Sequence, residues 1–216
     1  MNLYEHEGKE IFAHHGIQIP RGVLISREMN SPEAITQAYA SLAIPRVVVK
    51  AQILSGKRGK NNGIYFCSTE QEVVTAVNTL FQATIHGQYV ASVLLEEMLD
   101  IAEEHYLSIV YDTASKQPLL LASTQGGMDI EDVGHDSIQN IALDIRVPQL
   151  SAVTIPYAQE LWNCFREVDA RVVEINPLVK TKSGEWFAAD AKIALDDDAF
   201  FRHESCSTFS SLTIMG

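Results

Sequence analysis

The chain has 216 residues, 46% apolar and 20% charged, the balance of a globular protein long enough to bury a core without staples. An excess of 28 acids over 16 Lys and Arg gives a net charge of −12, which argues against a general nucleic-acid binder but leaves room for a local phosphate site. No apolar run reaches about 18 residues, so no transmembrane helix is expected, and Glu5, Glu7, Lys9 and Glu10 leave no place for the apolar region of a signal peptide.

In chain order, Asn2-Leu-Tyr-Glu5 has the form of a capping box and predicts a helix over 3–15, closed by Gly16. Ser31-Pro32 caps a helix reaching residue 42. Residues 46–54 and 64–68 read as strands, with Asn61-Asn62-Gly63 supplying turn chemistry between them. Thr69-Glu-Gln-Glu72 is a second capping box, and Val73, Val77, Leu80 and Phe81 then recur at helical spacing. Strands are predicted over 90–95, 105–111 and 119–123, with an acidic segment from Glu96 to Glu104 separating the first two. Gly126-Gly127 breaks the pattern, and an acidic loop follows to Asp136. A helix over 160–167, a strand over 171–175, and a hairpin turned at Gly184 into a strand over 186–189 complete the pattern. Helices mixed with hairpins, rather than alternating with parallel strands, give an α+β class in two lobes. Asp196-Asp197-Asp198 reads as a solvated loop. The three cysteines, Cys67, Cys164 and Cys206, contain no C-x-x-C pair and read as reduced thiols of a cytosolic protein.

The densest chemical signal is Lys50-Ala-Gln-Ile-Leu-Ser-Gly-Lys-Arg-Gly-Lys60, four cations and two glycines running out of an apolar strand. Glycines let backbone N–H groups wrap a phosphate while lysines neutralise it. The G-x-x-x-x-G-K-[ST] loop fails, because Gly56 and Gly59 are two residues apart and Asn61 stands where a magnesium-binding hydroxyl belongs. On local pattern alone a phosphate loop and a basic hairpin both remain open. Distant features favour the first. Leu94-Leu-Glu-Glu-Met98 runs an apolar strand into carboxylates able to meet a base and sugar hydroxyls. Glu174-Ile-Asn-Pro-Leu178 ends another strand in a carboxylate and an amide, and Asp190 lies across the predicted hairpin from Asn176. Oxygen-only ligation by Asn, Asp and phosphates suits Mg²⁺. No histidine has ligand spacing.

Met1-Asn-Leu-Tyr-Glu-His-Glu-Gly-Lys-Glu-Ile-Phe-Ala, Val47-Val-Val-Lys50 with Gly56-Lys-Arg-Gly-Lys60, Ser123-Thr-Gln-Gly-Gly-Met-Asp-Ile-Glu131 and Glu174-Ile-Asn-Pro-Leu178 together resemble the nucleotide-binding half of the succinyl-CoA synthetase β subunit, over about residues 1–204. ATP-citrate lyase and malate–CoA ligase carry similar segments. The resemblance implies an ATP-grasp fold, two α+β lobes with the nucleotide between them. The smaller lobe would take in about 20–90 and the larger about 91–200 plus the N-terminal helix, with 205–216 unassigned. It implies Lys50 on the nucleotide phosphates, with Gly56, Lys57, Arg58 and Gly59 as the loop covering them. Glu96, Glu97 and Met98 would line the adenine hinge, Glu104 would hold the ribose, and Asn176 and Asp190 would ligate Mg²⁺. Glu174 would face a phosphorylated histidine delivered by a partner, and is taken with Lys50 as catalytic. ATP is the implied co-substrate, with GTP an alternative. The implied partners are an α-type CoA-binding subunit carrying that histidine and a separate CoA-ligase domain, with the carboxylate and CoA bound mainly outside this chain.

Three departures accompany the resemblance. Gln125 replaces the glutamate of Ser-Thr-Glu-Gly-Gly, the stretch between Asp144 and Tyr157 is short, and the sequence does not run into the flavodoxin-like CoA-ligase domain expected to follow. The expected activity is therefore that of a cytoplasmic, ADP-forming acid–CoA ligase of the tricarboxylic acid cycle, inactive without its partner. A citrate- or malate-specific subunit and a non-catalytic nucleotide-binding module are the alternatives.

Overall fold

The computed structural model describes residues 1–54, 62–130, 134–150 and 153–202. Gly56, Lys57, Arg58 and Gly59 of the basic segment, Cys206 and the tail lie outside them. The chain divides into two compact units, Pro20–Leu99 and a larger one built from Met1–Ile19 with the residues from Asp100 onward.

The first helix of the larger unit, α1 (Glu5–His14), begins two residues later than the sequence predicts. Glu7, not Glu5, closes its N-terminus, the carboxylate accepting from the Tyr4 backbone N–H at 2.8 Å. Asn2 instead forms a β-bridge with Ala194. Gly16 takes the left-handed φ of +83° that ends the helix.

In the smaller unit, β1 (Gly22–Ser26), β2 (Val47–Gln52), β3 (Ile64–Cys67) and β6 (Ser92–Glu97) form an antiparallel sheet in the order β1-β6-β2-β3. Two helices, α2 (Pro32–Leu42) and α3 (Glu70–Gln82), start where the sequence places them. Ser31 accepts from the Ala34 N–H, and Thr69 with Glu72 completes the second capping box. Ile35, Leu42, Val73, Val77 and Leu80 from the helices bury against Val47, Val49, Ala51, Val93 and Leu95. Since side chains alternate along a strand, Lys50 and Glu96 emerge on the sheet face turned away from this core. The two-residue strands β4 (Thr84–Ile85) and β5 (Gln88–Tyr89) pair as a hairpin too short to leave an alternating signal.

The larger unit carries a six-stranded sheet of β7 (Ile101–Asp112), β8 (Gln117–Ser123), β9 (Gln139–Ala142), β10 (Ala170–Thr181), β11 (Trp186–Ala188) and β12 (Lys192–Leu195). The order is β11-β10-β7-β8-β9, with β12 also on β10, and every pairing is antiparallel. One face is covered by α1 and by α4 (Ala158–Glu167). Ile11, Phe12, Leu161, Trp162 and Phe165 pack on Leu107, Ile109, Val173 and Ile175.

Both described cysteines are sealed by this packing. Burial, reinforced by Glu72, pushes the Cys67 thiol up to about 11, and burial with a smaller contribution from Glu167 pushes Cys164 up to about 12. At pH 8 the thiolate is then populated in roughly one molecule in a thousand or fewer. A thiol reagent at that pH is expected to leave Cys67 and Cys164 unmodified in the native chain and to label both in urea. Labelling of Cys164 before unfolding, read by peptide mass, would contradict the packing around α4.

Candidate functional site

In the smaller unit the Lys50 amine lies 2.6 Å from Glu96 Oε2, and the residues are only 7% and 2% exposed. Two candidates assigned separate tasks, one on phosphate and one on the base, are therefore joined as a buried ion pair. The pair follows from register: β2 and β6 set Lys50 opposite Leu94 and Val48 opposite Glu96, so the two charged chains meet diagonally on one face. Glu97 is held by Arg21, whose Nε and Nη2 donate to the carboxylate at 2.9 and 3.2 Å and keep its pKa below the usual carboxylate range. The backbone N–H groups of Glu97 and Met98 donate to the carbonyls of Arg21 and Arg46. The backbone N–H groups of Glu97 and Met98 are thus spent internally.

The larger unit assembles the remaining candidates. Along β10, Val173 and Ile175 enter the core, and so do Ala191 and Ile193 on the partner segment. Glu174, Asn176, Asp190 and Lys192 alternate with them and share the face free of α1 and α4. Leu178 opposes Ala188 and Glu174 opposes Lys192, and counting inward from either pair sets Asn176 opposite Asp190. The Ala189 N–H donates to the Pro177 carbonyl at 3.1 Å, closing the ladder beside them. Glu174 accepts from the Tyr106 hydroxyl at 3.1 Å and lies 3.9 Å from the Lys192 amine.

Asn176 bridges to the glycine turn. Its Oδ1 accepts from the Gly127 N–H at 2.8 Å and its Nδ2 donates to the Met128 carbonyl at 2.9 Å. Glycine is required at both turn positions. A Cβ on Gly126 would overlap the His105 carbonyl, and one on Gly127, at φ +73°, would run into the Glu104 carboxylate. Glu104 and Asn176 therefore converge on Gly127 from two strands. The side-chain oxygens of Asn176 and Asp190 are the candidate ligands here: Asn176 Oδ1 has a second lone pair beside the one used on Gly127, and the Asp190 carboxylate accepts from the Ala191 N–H through Oδ1 at 2.7 Å. That donor set fits Mg²⁺, which takes few protein ligands and retains waters. No cluster of three or more His, Cys, Asp or Glu able to hold a metal occurs among the described residues. A cavity of about 330 Å³ is bordered by His105, Tyr106, Ala122, Ser123, Leu178 and Trp186.

The profile of the ATP-grasp domain matches residues 2–152. The chain belongs to the ATP-grasp family. Among ATP-grasp relatives, the ADP-forming succinate–CoA ligase β subunit of Methanocaldococcus jannaschii is 39% identical over 225 aligned residues, covering 94% of this chain and 59% of the relative. That of Thioalkalivibrio sulfidiphilus is 37% identical over 233, covering 95% and 59%. The chain thus spans 59% of the length of these relatives. Both alignments are longer than the 216-residue chain itself, so part of the shared region is longer in the relatives. ATP citrate lyase from Methanothrix soehngenii shares the ATP-grasp fold with a TM-score of 0.69 at 18% identity, over 97% of this chain and 54% of that one. The dinucleotide-forming acetyl-coenzyme A synthetase 1 of Ca. Korarchaeum cryptofilum, solved with coenzyme A and Mg-AMPPCP and a phosphohistidine segment pointing towards the nucleotide binding site, gives 0.60 at 16%, over 90% and 93%.

Sequence reasoning missed Tyr106, Lys192 and Arg21, each of which contacts a candidate carboxylate. Tyr106 and Ser108 alternate with the buried Leu107 and Ile109, a signal that could have set Tyr106 on the Glu174 face.

Proposed function

We propose that this chain is the nucleotide-binding part of an ADP-forming acid–CoA ligase, binding Mg-ATP and passing the γ-phosphoryl group to a histidine on a partner subunit. The observation that carries this reading is the shared helix-free face of Glu174, Asn176 and Asp190, with Asn176 opposite Asp190 in register. The ligase names of the relatives support the class of reaction.

In-line transfer needs positioning and charge neutralisation more than covalent help from the protein. Lys50 would meet the phosphates with the glycine-lysine segment, and Glu104 the ribose hydroxyls. Asn176 and Asp190 would hold Mg²⁺, which when bound neutralises charge on the β- and γ-phosphates. Glu174, fixed by the Tyr106 hydroxyl, would orient the incoming imidazole. The bond from the γ-phosphorus to the bridging oxygen breaks, a phosphorus–nitrogen bond forms, and ADP leaves. The phosphoryl group then passes to a carboxylate, and the CoA thiol displaces phosphate from the acyl phosphate. Succinate is the acid proposed. The α-type subunit and the CoA-side domain complete the reaction.

A titration with Mg-ATP, Mg-GTP and free CoA, followed by incubation with γ-labelled ATP and an α-type subunit, tests this. Mg-nucleotide binding without CoA binding, and an acid-labile phosphohistidine on the partner, are expected. Absent nucleotide binding overturns the whole reading. Binding with no histidine phosphorylated assigns the chain to non-catalytic nucleotide-binding modules instead.

A further inference from the structure

Helix α1 carries charges where a core helix should not. Glu5, Glu7 and Lys9 are 3%, 2% and 2% exposed. Glu7 caps the helix, but nothing in helix formation requires the other two. Lys9 Nζ lies 2.9 Å from Glu5 Oε1 and donates to the Ala189 carbonyl at 2.8 Å. Gly8 allows the approach, since a Cβ there would stand 3.2 Å from Ala191 Cβ. The Ala189 carbonyl belongs to the peptide whose nitrogen is that of Asp190. With the Ala189 N–H given to Pro177 and its C=O taken by Lys9, the backbone entering Asp190 is held on both sides.

We infer that the buried Lys9–Glu5 pair is a strap that positions Asp190 towards the metal, an inference resting on the metal-site reading above. Glu5 holds the ammonium in place and Lys9 fixes the Ala189–Asp190 peptide plane. That plane sets where the Asp190 carboxylate leaves the sheet, while the Ala191 N–H sets its rotation. Stability alone gives no reason for the pair. Removing two charges from water is costly, and replacing a buried ion pair by apolar side chains of similar volume is often neutral or stabilising. Groups that orient a ligand from behind typically change metal affinity about 10- to 100-fold when lost.

The test compares the full chain with its Glu5→Leu/Lys9→Met double variant, because Lys9→Met alone keeps the Glu5 charge in the core and is the variant that risks unfolding. Three quantities are read: the urea midpoint, the ratio of affinities for Mg-ATP and for ATP in EDTA, and hydrogen exchange at the Ala191 amide. The double variant is expected to keep the wild-type midpoint, to lose about tenfold or more of the Mg-ATP preference, to bind metal-free ATP as before, and to exchange faster at Ala191. A wild-type preference retained in the folded double variant overturns the strap alone. A wild-type chain with no preference for Mg-ATP overturns the metal-site reading and the strap's purpose with it.

Discussion

Lys50→Met is expected to be the most damaging single substitution in the smaller unit, for two separable reasons. It withdraws the cation 2.6 Å from a carboxylate that is 2% exposed, and breaking a buried pair from one side costs about 3–5 kcal/mol. It would also remove the charge-assisted phosphate contact proposed for Lys50, worth about 1.5–3 kcal/mol or roughly a 10- to 100-fold loss of Mg-ATP affinity. The double variant Lys50→Met/Glu96→Leu separates the two, since removing both charges together should recover most of the stability. Its urea midpoint is expected to return near that of the native chain while its Mg-ATP affinity stays as low as in Lys50→Met. Glu96→Gln alone leaves the lysine its charge and is expected to weaken binding far less. A double variant that binds Mg-ATP normally would show the pair to be purely structural, and the phosphate role of Lys50 would fall.

The sequence singles out Lys50 as a candidate but not its pairing with Glu96. An apolar strand running into glycines and lysines singles out the segment, although on local pattern alone a phosphate loop and a basic hairpin both remain open. The pairing depends on β2 lying beside β6, forty residues apart in sequence, and no local pattern encodes that register. The same limit explains the strands. β10 and β7 run to twelve residues each, longer than predicted, because Lys180 meets Glu103 across the ladder at 3.0 Å and charged residues can then occupy strand positions. Residues 101–104 look like an acidic connector only while their partner is unknown. β12 is missed although Ile193 and Leu195 alternate with polar neighbours, since the aspartates after it draw the eye to solvent. The N-cap at Ser31 and the capping box at Thr69 are recovered because their chemistry spans only four residues. At the N-terminus the predicted box of Asn2 with Glu5 gives way to Glu7 accepting from the Tyr4 N–H. Tertiary structure decides between them: Glu5 is bonded to Lys9 and Asn2 is bridged to Ala194.

Asp190→Asn is expected to abolish the magnesium dependence of nucleotide binding while leaving the fold intact. The amide oxygen can still accept from the Ala191 N–H, so the local geometry survives and the urea midpoint should move by less than about 1 kcal/mol. What is lost is the anionic donor. Two neutral amides facing each other attract a hard divalent cation much less than one carboxylate and one amide. The Mg-ATP affinity should then fall at least about tenfold, to that of ATP in EDTA. Asn176→Ala is expected to give the same binding loss with a different structural signature. It frees the Gly127 N–H and the Met128 carbonyl from their only side-chain bridge among the described residues. Hydrogen exchange at Gly127 should therefore accelerate in Asn176→Ala and stay unchanged in Asp190→Asn. The two side chains oppose each other in register, so a shared cation makes their effects non-additive: once either is gone, losing the second should cost little more. Additive losses in the double variant would mean that Asn176 and Asp190 act on the nucleotide separately, and the shared magnesium site would have to be given up.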